Sequence, residues 1–292
     1  MRSDLSRLGL GTAQFGMPYG ILSEGRAVDY KEVEKILRLA RNNNIVSLDT
    51  AQDYGSSEYV IGQHVSIDQM WEWQVTTKIS SVNSSLREKI NESISRLGVV
   101  PHAVLAHSAD LYQQPKFQNE ILRVKEDFQC LKIGVSLYTR EEISYVMTAQ
   151  HVPEVIQVPL NVLDTRLVRD GTIASLSSKG IDIHARSVFL QGLFYMQREE
   201  RNMKFPAAAS ALDALTEIAE SGGLCLPEFS LLWALSVQGV SNIILGVQSH
   251  SQLAAHLMTA KKKIPHQCLK DALSVRFDDD SVLNPSLWRG AV

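Results

Sequence analysis

The sequence predicts an α/β barrel of eight parallel strands, each followed by a helix. Three observations lead there. Short β-branched runs alternate with longer amphipathic runs along the chain, and parallel strands need crossover connections, which helices supply. Eight strand runs can be counted, enough to close a barrel in place of an open doubly wound sheet. Four successive strand ends fall at Asp49, Lys78, His107 and Ser136, each 29 residues after the one before. Equal strand–helix units put such residues at one height, at the C-terminal mouth. The 292 residues are read as one (β/α)₈ TIM barrel domain, 1–292, with a C-terminal tail from about residue 270.

The elements follow in order. The first strand is predicted over Arg7–Gly11, then a loop over Gln14–Ala27 with three glycines and a proline. A helix over Asp29–Asn42 puts Val33, Ile36, Leu37 and Ala40 on one face. The second strand, Val46–Asp49, leads to a helix beginning near Glu58, with Ser56 or Ser57 offered as its N-cap. The third strand, Gln74–Lys78, precedes a helix over Ser85–Leu97 that aligns Leu86, Ile90, Ile94 and Leu97. Strands at Val104–His107, Lys132–Ser136 and Val155–Val158 alternate with helices at Asn119–Phe128, Arg140–Thr148 and Leu167–Ser178. The seventh strand, Asp182–Ala185, is followed by a loop at Gln191–Pro206 and helices at Ala208–Ser221 and Pro227–Val237. The last strand, Asn242–Gly246, precedes a helix over Ser251–Thr259. The two long loops follow strands, so they sit over the mouth. The tail Arg276–Val292 packs either under the barrel or back over the mouth, with Asp278–Asp280 as a solvated turn. Trp71 and Trp73 are predicted to pack at the lower face.

Composition narrows the function. Hydrophobic residues make up 45% and charged residues 21%, an ordinary globular balance. Lys and Arg number 29 against 32 Asp and Glu, a net charge of -3. That leaves no basic excess for nucleic acid or an anionic membrane. No apolar run approaches the ~20 residues of a membrane helix, and the first residues lack the apolar stretch of a signal peptide. Cys130, Cys225 and Cys268 are scattered without CxxC spacing, which reads as reduced thiols in the cytoplasm. The histidines show no ligand spacing, so no metal is expected. The expected partner is a small molecule.

The strand ends carry the chemistry. Barrel interiors are normally layers of Val, Ile and Leu, yet here an acid, a lysine, a histidine and a serine share one ring. Tyr54 follows Asp49 by five residues. A free phenol has a pKa near 10, too high for efficient acid–base work at neutral pH. A nearby ammonium favours the phenolate. A buried lysine needs a carboxylate partner to stay charged, which Asp49 supplies to Lys78. His107 is placed to donate a hydrogen bond to a substrate carbonyl. The set holds no nucleophile, and its natural partner is a hydride carrier. Each residue alone has a plainer reading: Asp49 as a turn acceptor, Lys78 reaching the surface, His107 as a structural histidine, Tyr54 as a loop cover. The shared strand-end spacing argues against all four at once.

The text GLGTAQFG at 9–16, LDTAQDYGSSE at 48–58, TTK at 76–78 and LAHSAD at 105–110 resembles the aldo-keto reductases, NAD(P)-dependent oxidoreductases. So do IGVSLYT at 133–139, IQVPLNVLD at 156–164, HARSVFLQGLF at 184–194 and ILGVQSHSQL at 244–253. The resemblance runs from about Arg7 to Met258. It implies a catalytic tetrad of Asp49, Tyr54, Lys78 and His107, with Tyr54 as acid–base. It implies that Ser136 and Gln157 hold the nicotinamide carboxamide and that Gly11 and Thr12 lie near the nicotinamide ribose. Arg186 falls where a side chain stacks on the nicotinamide; pairing with an acid across the mouth is its alternative. Ser187, Phe189, Leu190 and Gly192 fall in the loop along the pyrophosphate. Gly246, Gln248, Ser249 and Gln252 fall at the adenosine end.

Three departures bear on this. Leu137 stands where many relatives have Asn. The adenosine segment GVQSHSQLAAHL carries no Lys or Arg, although a 2′-phosphate usually takes a cation. The resemblance implies NADP(H) as the cofactor, and the missing cation makes NAD(H) the alternative. Ala13 stands where some relatives carry tryptophan, which predicts a wider, less aromatic pocket suited to sugar-like carbonyls. The expected reaction is reduction of an aldehyde or ketone to an alcohol. A cofactor-sensing or accessory homologue with little turnover, and a cofactor-free barrel lyase or isomerase, remain alternatives.

Overall fold

A computed structural model describes residues 4–21, 23, 25–65, 72–129 and 131–288; Trp71, Cys130 and the end of the tail lie outside the described residues. Eight parallel strands close a barrel in chain order. They are β1 (Leu8–Gly11), β2 (Ser47–Asp49), β3 (Gln74–Ile79), β4 (Ala103–Ala106), β5 (Lys132–Ser136), β6 (Val155–Pro159), β7 (Asp182–Arg186) and β8 (Asn242–Gly246). Closure comes from β8 pairing with β1, Leu8 against Ile243 and Gly11 against Gly246. One principal helix follows each strand: α1 (Tyr30–Asn42), α2 (Ser57–Val65), α3 (Leu86–Leu97), α4 (Pro115–Asp127), α5 (Arg140–Val146), α6 (Thr172–Ser178), α7 (Leu226–Ser236) and α8 (His250–Thr259). The alternation read from the sequence is the (β/α)₈ TIM barrel observed.

The helices form for local reasons and stay for tertiary ones. Asp29 caps α1 by accepting from the Lys31 N–H at 2.9 Å, and Val33, Ile36, Leu37 and Ala40 are buried as their spacing requires. A capping box of Ser85 and Glu88 opens α3, and Gly98 ends it in the left-handed region. The main apolar core lies between sheet and helices. Inside the barrel, a separate apolar cluster is confined to Ala103, Leu105 and Val155. Much of the remaining interior is polar or glycine. A Cβ on Gly9 would lie 2.7 Å from Asn242 Oδ1, and the Asn242 amide bonds the Ser47 hydroxyl. A tube so lined has room for polar side chains toward its mouth.

Several boundaries differ from the sequence reading. β4 stops at Ala106, and His107 is the first residue beyond it, its N–H still bonded to Ile79 O at 2.9 Å. The helix expected over Leu167–Ser178 is two pieces, Arg166–Arg169 and α6. Gly171, at φ 79°, breaks it, and the Asp170 carboxylate restarts the chain by accepting from Thr172 N–H. α4 begins early, at Pro115, because proline suits a first turn. The run Asp278–Asp280 is not a merely solvated turn: Asp278 pairs with Arg169 at 2.9 Å and Asp280 with Arg166 at 2.7 Å. The Trp288 indole donates to Val282 O, and its ring lies 4.7 Å from that of Phe205. The tail therefore folds back against the connections that follow β6 and β7. Trp73, just before β3, packs against the core at the lower end.

Two buried histidines tie stability to pH. Burial pulls His184 on β7 and His256 on α8 down to about 4. An unfolded histidine titrates near 6.5. Between those values the unfolded chain takes up protons that the folded chain refuses, so stability falls as pH is lowered through that window, by about 1.4 kcal/mol per pH unit for each group. The urea midpoint is expected to drop between pH 7 and pH 4.5. His256→Phe is expected to flatten that slope, and an unchanged slope contradicts the assignment.

Candidate active site

The mouth gathers what the sequence spaces apart. Lys78, on β3, is 1% exposed, and its ammonium bonds the Asp49 carboxylate of β2 at 2.6 Å and Thr50 O at 2.9 Å. The same nitrogen lies 3.4 Å from Tyr54 Oη and 4.9 Å from the centre of its ring. Burial alone would push the Lys78 ammonium toward losing its proton; the Asp49 charge and the Tyr54 hydroxyl outweigh it and hold the group above the ordinary lysine value. The other Asp49 oxygen accepts from Gln157 Nε2 at 2.7 Å, and Gln157 Oε1 faces the Ser136 hydroxyl at 3.4 Å. The chain Ser136–Gln157–Asp49–Lys78–Tyr54 thus spans four strands and one loop.

His107 stands beside this chain. Its ring lies edge-on to Tyr54, centroids 6.2 Å apart. Its Nδ1 is 3.1 Å from Ser80 Oγ, which also bonds Asp53. That leaves Nε2 as the ring nitrogen available to a substrate oxygen. Burial, seconded by the Lys78 charge, lowers the ring to about 4, so His107 is neutral at physiological pH.

The Tyr54 loop is held by close backbone approach. Ser56 N–H donates to Gly16 O at 3.3 Å. A Cβ on Gly16 would fall 2.0 Å from Tyr54 O, and one on Gly55, itself at φ +57°, would fall 2.4 Å from Gly16 O. Ser57, offered as an N-cap, instead donates its hydroxyl to Thr12 O at 2.8 Å and accepts from Thr50 at 3.0 Å. Glu58 does not reach the mouth. It accepts from Thr77 at 2.6 Å and pairs with Arg96 at 3.0 Å, on the outer side of the sheet.

A cleft is lined by Asp49 and Tyr54, by Gly11, Ile244 and Gly246, and by Gln248 and Gln252. Thr12, Arg186, Ser187, Phe189 and Gly192 also border it. Ser249 borders the adjoining cleft. Leu190 is wholly buried and packs inward. Ser136 and Gln157 are buried beneath the mouth and meet Asp49 as described. The Arg186 guanidinium lies 4.1 Å over the Tyr138 ring and donates to Leu137 O, with no acid as partner among the described residues. Its second face is left for another flat group. The turn from Ser187 to Gly192 holds Ser187, Leu190 and Gln191 at positive φ, a conformation that costs about 1 kcal/mol or more for each.

Sequence reasoning missed Tyr19. Its ring stands 6.4 Å from that of Tyr54, and Gln191 Nε2 donates to its hydroxyl at 3.0 Å. Burial, with the neighbouring Tyr54, pushes the Tyr19 phenol up to about 12. Tyr19, Tyr138 and Tyr195 make the mouth more aromatic than Ala13 suggested. The sequence marked the loop at 14–27 as a mouth cover, but nothing in it said which side chain turns inward.

A closed barrel with an ion-paired lysine against a phenol at its mouth, below a long cleft, defines the architecture of a barrel enzyme. The model of the Aldo/keto reductase family matches residues 7–272, and the chain belongs to that family of oxidoreductases. L-galactose dehydrogenase of Arabidopsis thaliana is 24% identical over 276 residues, covering 85% of this chain and 82% of that protein. The holo form of an aldo-keto reductase from Bacillus halodurans superposes with a TM-score of 0.69 at 16% identity, over 93% of this chain and 92% of its own. A Pseudomonas aeruginosa protein assigned to the aldo-keto reductases superposes with a TM-score of 0.62 at 22% identity, over 90% of both chains.

Two substitutions probe the geometry. Lys78→Met leaves the buried Asp49 carboxylate without its cation, and urea unfolding is expected to show a loss of about 3 kcal/mol. Gly16→Ala forces the Tyr54 loop to move, and turnover is expected to fall at least about tenfold for a stability loss of about 1–3 kcal/mol. Wild-type turnover in Gly16→Ala contradicts the close approach.

Proposed function

We propose that the protein reduces an aldehyde or ketone to an alcohol, with a nicotinamide dinucleotide as hydride donor and Tyr54 as the acid–base group. The observation that carries this reading is the Lys78 ammonium, ion-paired to Asp49 at 2.6 Å and set 3.4 Å from Tyr54 Oη.

The cleft fits such a cofactor. Its lining reaches from Asp49 and Tyr54 to Gln248 and Gln252, and it includes Gly11 and Gly246, where a Cβ would lie 3.1 Å from Ile244 and 2.8 Å from Gln14 Nε2. Gly11, Thr12, Arg186 and the turn of Ser187, Phe189 and Gly192 would hold it. Ser136 and Gln157 would support its nicotinamide end through Asp49, and Gly246, Gln248, Ser249 and Gln252 its adenosine end. Leu190 would act by packing the turn. The bound dinucleotide supplies a hydride to the carbonyl carbon.

The chain's own groups manage the proton. As the C=O π bond breaks, the oxygen gains negative charge, and Tyr54 Oη gives it a proton. The phenolate left behind sits against the Lys78 ammonium, which Asp49 keeps charged and in place. Neutral His107 directs Nε2 at the substrate oxygen. Asp53, Ser80 and His107 form a polar rim suited to a substrate bearing hydroxyls. This rim, and the likeness to L-galactose dehydrogenase, support a sugar-like carbonyl as substrate. Cys225 and Cys268 are free thiols, which supports a cytoplasmic setting. No helix among the described residues is long and apolar enough to cross a membrane.

Tyr54→Phe keeps the ring and removes the proton. Turnover of NAD(P)H with a panel of aldoses and aldehydes is expected to fall about 10²–10⁴-fold, while dinucleotide binding, read by fluorescence, stays near that of the parent. Unchanged turnover sinks the reading.

A further inference from the structure

The far end of the cleft carries two carboxylates, Asp29 and Glu32. Beyond Gln248 and Gln252 it opens into a second cleft, which shares Gln14 and Tyr19 with the first. Arg26, Asp29, Glu32 and Ser249 also border that second cleft. A dinucleotide extended from Tyr54 toward Gln248 and Gln252 would bring its second ribose to this place. A helix N-terminus is a ready anion site when its amides are open. Here the His250 and Gln252 amides of α8 are engaged. The His250 N–H donates to Glu32 Oε1 at 2.7 Å, and Glu32 also meets His250 Nδ1 at 2.7 Å. Gln252 N–H is taken by the Ser249 hydroxyl at 3.1 Å, and Gln248 N–H by Gln252 Oε1 at 2.8 Å. A carboxylate from α1 thus takes the first amide of α8, a donor that an anion would otherwise use.

We infer that Glu32 sets the cofactor, so that the protein takes NAD(H) and excludes NADP(H). This rests on the nicotinamide reading above and deepens it. A carboxylate accepts a hydrogen bond from a ribose 2′-hydroxyl, whereas it repels a 2′-phosphate. Glu32 has capacity for that bond: Oε1 serves His250, and Oε2 takes only Lys35 at 3.1 Å. The carboxyl is held ionised near 2, first by the His250 amide. Two carboxylates, Asp29 and Glu32, face this space. Arg26 is the rival: a guanidinium at its edge is the group a 2′-phosphate would seek, and it is engaged within the protein.

The test is direct binding. NADH and NADPH are titrated separately into the full chain, with quenching of tryptophan fluorescence as the readout. NADH is expected to bind at least about tenfold more tightly, a difference of about 1.4 kcal/mol. Glu32→Gln, which still accepts from the His250 amide, is expected to bring the two constants within about threefold by tightening NADPH. Arg26→Ala is expected to leave the preference in place. NADPH binding as tightly as NADH to the parent, or more so, overturns this inference alone. A parent that favours NADPH and loses it with Arg26→Ala makes Arg26 the phosphate clamp and overturns it as well. Binding of neither dinucleotide overturns the nicotinamide reading together with this one.

Discussion

The mouth of this barrel is organised around one buried charge pair. Lys78 and Asp49 come from adjacent strands and meet at 2.6 Å in a place where water does not reach the ammonium. Neither charge is tolerable there without the other. Their union fixes two further groups, because Asp49 uses its second oxygen on Gln157 and Lys78 spends its remaining reach on Thr50 O and Tyr54. Much of the interior around them is glycine or polar, so that room exists for this arrangement.

A second constraint is steric. The Tyr54 loop can lie where it does because two glycines meet: Gly16 under Tyr54 O and Gly55 over Gly16 O. One motif reads GTAQFG and the other DYGSSE, and neither explains its glycine alone. Placed together, they lock the β1 and β2 connections and set the height of the phenol. The opposite side of the mouth is held by strained backbone at Ser187, Leu190 and Gln191 and by the Tyr19–Gln191 hydrogen bond. The proposed site is therefore carried by rigid strand ends on one side and by two stitched loops on the other.

Charge is distributed to match. The reacting end has an ammonium, a neutral imidazole and a guanidinium stacked on Tyr138. The far end has Asp29 and Glu32, with Arg26 at its margin. On the proposed reading, two adjoining clefts join proton transfer at Tyr54 to the choice of dinucleotide at Glu32. In the tail, Asp278 and Asp280 are paired with Arg169 and Arg166.

The chain's own text determined the strand count, the helix faces and the shared height of Asp49, Lys78 and His107. Periodicity of apolar residues reports burial directly, and four strand ends at equal spacing must share one height in a regular barrel. That is why Asp49, Lys78 and His107 were legible as a set, and why the apolar faces of α1 and α3 were placed correctly. Other features depend on who sits opposite, and no local pattern records that. Gly171 splitting a helix, Glu58 turning outward to Thr77 and Arg96, and Tyr19 turning inward over Tyr54 are such cases. Glu32 is the clearest of them. In sequence it is an exposed helix glutamate 218 residues from His250. Only the closure of β8 onto β1 brings α1 beside α8 and turns that carboxylate into the lining of a cleft.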